Sequence, residues 1–188
     1  MYKIKNFKIN LRNRDIVRSV KKLANMPEMT VDVEESVQKA CFHFAKFLKP
    51  ATLYKTFSKD TESLELSTEA PKRHVAQTYY IVTIGDGLEE EFNTNKEAYG
   101  EYTQMIVSAI AADAADLAKN FVARLLTKEA SEEKCEVSRP EELPKEKYES
   151  VCGLLESAKI GVEVVEEAFK PRYTAAGVFY WTPLKKRK

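Results

Sequence analysis

Apolar residues at Ile106, Ile110, Ala114, Leu117, Phe121 and Leu125 recur at spacings of four, four, three, four and four. A row with that period lies along one side of an α-helix and predicts a single long helix over residues 97–128. Ala109, Ala111, Ala112 and Ala115 keep its other faces small, which lets a neighbouring element approach closely. A strand predicted over 77–84 adds a second constraint, because Tyr79, Tyr80, Ile81, Val82 and Ile84 form a nearly continuous apolar run. Without alternation, such a strand needs cover on both faces. The 188 residues, 44% of them apolar, suffice for one core shared by both elements, an α+β domain.

The rest of the chain supplies elements to complete that core. Residues 2–9 read as a strand with a slip near Asn6. Asn13 can cap a helix over 14–24 that buries Ile16, Val17, Val20 and Leu23, with Pro27 beyond its end. A second helix over 33–48 carries Val33, Val37, Ala40, Cys41, Phe44, Phe47 and Leu48 at helical spacing and is closed by Pro50. Strands are expected over 51–57 and at Leu64-Glu65-Leu66, with a polar turn at 58–63 and a loop around Pro71. After the long helix come a charged stretch with a short strand at 135–138, a helix from Pro144 to about 158, and closing strands over 160–165 and 175–181. No repeat or low-complexity linker interrupts them. The expected organisation is one domain: residues 1–74 pack on the core formed by 75–184, and 185–188 make a basic tail.

Charge excludes several classes. Thirty Lys and Arg against 29 Asp and Glu leave a net charge of +1, whereas nucleic-acid binders carry a basic excess that neutralises phosphate. Lys185-Lys186-Arg187-Lys188 is the one dense basic run and reads as a solvated tail. Charges interrupt the first residues, so no signal-peptide core is expected, and no segment reaches the roughly 20 apolar residues of a membrane span. Cys41, Cys135 and Cys152 are odd in number and widely spaced, which fits reduced thiols in the cytoplasm.

Self-sufficient chemistry is hard to assemble from this inventory. His43 and His74 are the only histidines, and neither has neighbours at metal-ligand spacing. No Gly-x-Ser-x-Gly elbow or Cys–His motif is present. Thr83-Ile84-Gly85-Asp86-Gly87 resembles a phosphate-binding turn, but Glu89, Glu90 and Glu91 follow it and would repel phosphate, so a tight strand-to-helix turn is the better reading. Asp113 and Asp116, three apart on the long helix, form a conceivable acid/base pair or a solvated flank. The chain therefore reads as one that binds or assists and is not an enzyme on its own.

The second half resembles the activation (reactivation) domain of vitamin-B12-dependent methionine synthase and its stand-alone relatives. The likeness runs through Tyr79-Tyr80-Ile81-Val82-Thr83-Ile84-Gly85, the Ala-rich helix around 109–125, Leu154-Leu155-Glu156 with Ile160-Gly161-Val162, and Glu166-Glu167-Ala168-Phe169. It continues through Ala176-Gly177-Val178-Phe179-Tyr180 and Pro183, collinear over roughly residues 75–184. Lys49-Pro50-Ala51-Thr52-Leu53-Tyr54 looks similar to the stand-alone members.

The resemblance implies an α+β fold with a curved, mainly antiparallel sheet, a long central helix and N-terminal helices. It also implies binding of S-adenosylmethionine and its presentation to cobalamin held by a corrinoid-binding protein or methyltransferase subunit, with electrons from a flavodoxin-type donor. Arg139 matches the arginine that opens the family's Arg-x-x-x-Gly-Tyr motif, but Glu141-Glu142-Leu143-Pro144 follow where Gly-Tyr would stand. Phe179 aligns with the family's late tyrosine, beside Tyr180, and Asp116 with an acidic helix residue. The implied ligand groove is lined by Arg139, Gly177, Phe179 and Tyr180, with Asp116 behind or beside it. The alternative is an interaction protein that keeps the fold and has lost the S-adenosylmethionine site.

Overall fold

The computed structural model describes residues 1–26, 30–59, 61, 66, 70–100 and 102–184. Pro27, the strand expected at Leu64-Glu65-Leu66, most of the surrounding loop and the basic tail lie outside the described residues, in whole or in part. The main sheet is antiparallel throughout, in the order β1 (Tyr2–Lys5), β2 (Ala51–Ser58), β3 (Ala76–Thr83), β8 (Thr174–Pro183) and β4 (Cys135–Val137). A two-residue strand, β5 (Glu141–Glu142), also pairs with β8. The sheet curves into a half-barrel. A separate hairpin joins β6 (Glu163–Val165) to β7 (Ala168–Lys170).

Both faces of the sheet are covered, as the unbroken apolarity of β3 requires. One face carries Tyr54, Tyr80, Val82, Phe179 and Trp181 and packs under the long helix α4 (Thr103–Glu132). Helices α1 (Asn13–Leu23) and α2 (Val31–Phe44) join that core through Ile16, Val20, Val37, Cys41 and Phe44. The other face carries Leu53, Tyr79, Ile81, Val178 and Tyr180. It packs against helix α5 (Tyr148–Leu155) and the β6–β7 hairpin, through Val151, Leu155, Val162 and Phe169. A short helix, α3 (Gly87–Thr94), leads from β3 towards α4. Among the described residues no helix is long and apolar enough to cross a membrane.

Several boundaries differ from expectation for identifiable reasons. Helix α1 starts at Asn13 itself. The cap position is Arg12, whose carbonyl accepts from the Asp15 and Ile16 amides, and Asn13 supplies no side-chain cap. Leu23, in its last turn, is exposed. Strand β1 stops at Lys5 because Asn6 takes a left-handed backbone (φ 56°) and donates its N–H to the Pro50 carbonyl at 2.7 Å. Helix α4 begins six residues later than expected, after a 3₁₀ turn at Lys96–Ala98, and ends four residues later.

The buried row of α4 runs Ile106, Ile110, Ala114, Ala118, Val122, Leu126, Ala130. Spacing by four gains about 40° per step on a 3.6-residue turn, so the row winds around the helix as it crosses the twisted sheet. Leu117, Phe121 and Leu125 consequently sit at the edge of contact, half-buried, with Phe121 stacked on Phe7 at 4.1 Å between ring centroids.

Candidate functional site

The candidate site is the outer edge of β8. Val137 pairs with Trp181 and Glu141 with Val178, so residues 138–140 stand opposite only Phe179 and Tyr180. One extra residue on the edge makes a β-bulge, a device that re-aims side chains. Ser138 holds it together. Its N–H donates to the Tyr180 carbonyl at 2.9 Å, its Oγ accepts from the Tyr180 N–H at 3.0 Å, and its hydroxyl donates to the Arg139 carbonyl at 2.7 Å. Pro140 carries no N–H to extend the ladder. Arg139 is thereby presented to solvent, and its guanidinium makes no hydrogen bond or ion pair among the described residues.

Below the bulge, Gly177 pairs with Tyr80 of β3 on one side and Glu142 of β5 on the other. A Cβ at Gly177 would lie 2.7 Å from Tyr80 Oη and 2.8 Å from Tyr80 Cε1, and closer still to the Glu141 carbonyl oxygen. Glycine is needed here for space, because the Tyr80 ring lies across it. Tyr80 is fully buried, with its ring 5.0 Å from that of Phe179, and its hydroxyl has no hydrogen-bond partner. Burial, and secondarily the charge of Glu142, push its pKa well above the usual tyrosine range.

An ion triad closes the α4 side. Lys119 Nζ lies 3.0 Å from Asp116 and 3.4 Å from Glu142. Burial would lower the Lys119 pKa, but its bond to Asp116 and the two carboxylate charges outweigh that and hold it above the usual value. The triad fastens the two-residue strand β5 to α4.

Of the residues expected in a groove, Gly177 and Asp116 converge through Glu142 and Lys119, and Arg139 stands two residues before Glu141 on the same edge. Phe179 and Tyr180 are both fully buried and point to opposite faces of the sheet, Phe179 under Tyr80 and Tyr180 towards α5. Tyr80, Lys119 and Glu142 were not singled out from sequence. A tyrosine in the middle of a strand buried on both faces was the available signal, since its hydroxyl needs a partner there.

Asp113 and Asp116 are held by different cations, Arg12 and Lys119. Asp113 is buried and receives the Arg12 Nε–H at 2.7 Å and the Arg12 backbone N–H at 2.9 Å, locking the start of α1 to α4. His43 bonds Glu91 at 3.0 Å, and Tyr99 donates to the same Glu91 oxygen at 2.9 Å, tying α2 to α3. Gly85 and Gly87 make close room for the backbone of residues 47–49, in keeping with a tight turn.

No protein-family model matches the chain, and no curated protein sequence matches it. Among solved structures, the chain has the fold of the MetH reactivation domain bound to AdoHcy. The TM-score is 0.59 at 15% sequence identity, covering 94% of this chain and 77% of that one. At that identity the likeness concerns architecture: the half-barrel sheet, the long central helix and the N-terminal helices.

Proposed function

We propose that this chain is an accessory domain of a corrinoid-dependent methyl-transfer system, binding an S-adenosylmethionine-type ligand and assisting reductive reactivation of a corrinoid carried by a partner protein. The observation that carries the reading is the shared fold, over 94% of the chain, with a reactivation domain solved with AdoHcy. The residues at the β8 edge suit such a ligand in kind. Arg139 offers an exposed, uncommitted guanidinium for a carboxylate. The sulfonium compound would supply the methyl group, and this chain's part is to bind and orient it. The corrinoid partner, a flavodoxin-type electron donor and a cytoplasmic setting belong to the same proposal.

A second reading is an interaction protein that keeps the fold without the ligand. It is favoured by the Tyr80 ring and Glu141 carbonyl, which fill the space beside Gly177, and by Leu143-Pro144 standing where the family has Gly-Tyr. Calorimetric titration with S-adenosylmethionine and AdoHcy, together with the visible spectrum of added cob(II)alamin, separates the two. Saturable binding that Arg139→Ala abolishes supports the first. No heat and no spectral shift, with a corrinoid protein present, would sink it.

A further inference from the structure

At the end of β8 remote from Gly177, the turn entering β3 meets the β4–β8 pair around a cavity of about 630 Å³, within the size range of small-molecule sites. Lys59, Lys72, Arg73 and His74 line it, with Glu136 and Thr182 opposite. Backbone bonds hold the frame: the Lys59 N–H donates to the Val75 carbonyl at 2.9 Å and the Val75 N–H to the Trp181 carbonyl at 2.8 Å. The Lys59 ammonium reaches the Lys72 carbonyl at 3.3 Å, across the turn. His74 Nδ1 lies 2.6 Å from the Pro71 carbonyl, which can only accept, so Nδ1 carries the proton and Nε2 is left for another partner. The ring is steadied edge-on against Tyr180, with centroids 5.5 Å apart.

The charge here is unbalanced in a chain that is nearly neutral overall. Three permanent cations face one carboxylate, and among the described residues none of Lys59, Lys72, Arg73 or Glu136 forms an ion pair. Clustered, unneutralised cations repel one another, and an anion among them offsets that repulsion while taking directed bonds from Arg73.

We propose that this cavity binds a small oxyanion-bearing molecule, phosphate or carboxylate, independently of the β8-edge site. The test is ¹H–¹⁵N NMR titration of the full chain with pyrophosphate and, separately, citrate. The expected result is saturable shifts confined to Lys59, residues 72–75, Glu136 and Thr182, the tighter probe identifying the anion class. Lys72, Arg73 and Glu136 are exposed, so their variants should fold, as their free spectra would verify. Arg73→Gln and Lys72→Gln should each weaken binding roughly tenfold, and Glu136→Gln should tighten it. Shifts that do not saturate and spread to distant lysines such as Lys21 and Lys22, or weaker binding in Glu136→Gln, would overturn the assignment.

Discussion

Removing one oxygen atom, by Tyr80→Phe, is expected to make the protein more stable. The Tyr80 hydroxyl is buried and unpartnered, and an unsatisfied buried hydroxyl costs about 1–3 kcal/mol. Phenylalanine keeps the ring against Phe179 and gives up only the oxygen's dispersion contacts, at about 0.1–0.2 kcal/mol per atom pair. The expected balance is a gain of about 1 kcal/mol, or a Tm higher by about 2–4 °C for a domain of this size. Urea unfolding followed by the fluorescence of Trp181, the single and buried tryptophan, reads this directly: the midpoint should rise with an unchanged slope. A variant destabilised by about 1 kcal/mol or more would mean that the hydroxyl has a partner, and would refute the reasoning.

Gly177→Ala should destabilise by about 1–3 kcal/mol, because its methyl group meets Tyr80 and the Glu141 carbonyl within contact distance. Hydrogen exchange at β5 should rise in that variant, and an unchanged urea midpoint would contradict the packing. Hydrogen bonds from Tyr99 and then His43 hold the Glu91 carboxyl below its usual range. A depressed folded-state pKa adds stability at neutral pH that is lost as pH falls through the folded value, so the midpoint gap between wild type and Glu91→Gln should close below about pH 4. A gap that widened in acid would reverse that sign. Burial, with the charge of Asp113 adding, pushes the Cys41 thiol up to about 11. At mildly alkaline pH, maleimide should label half-buried Cys135 in the native protein and reach Cys41 only in denaturant. Equal native rates for the two thiols would argue against that burial.

What sequence revealed and what it hid both have physical causes. The unbroken apolarity of β3 announced burial on two faces, and two cores do flank it. The first half of the α4 row was legible at Ile106, Ile110 and Ala114. Beyond that point Leu117 and Ala118 open two rows, and the twist of the sheet selects the one through Ala118 and Val122. Strand β7 went unseen because its turn residues, Glu166 and Glu167, both take left-handed backbones (φ 51° and 60°), positions usually signalled by Asn or Gly. Strand β5 is two glutamates with no strand propensity, and it exists by pairing with β8. At the candidate site, Arg139 and Gly177 could be singled out by resemblance. Tyr80 showed in the sequence only as a tyrosine within a strand that needs cover on both faces; that its hydroxyl goes without a partner is a property of packing.

The position of β8 has a consequence for how the molecule is made. β8 lies between β3 and β4, yet it follows every other strand of the sheet in the sequence. Thr83 at the end of β3 and Thr174 at the start of β8 are 91 residues apart. During translation at about 5–20 residues per second, β3 waits on the order of 5–20 s with one edge unpaired. That edge belongs to a strand whose Tyr79, Tyr80, Ile81 and Val82 are all buried in the finished fold, and an open apolar edge is a template for pairing with another nascent chain. The sheet closes only when β8 arrives, so misassembly and chaperone demand should concentrate in that interval and be sensitive to anything that slows elongation between the two strands.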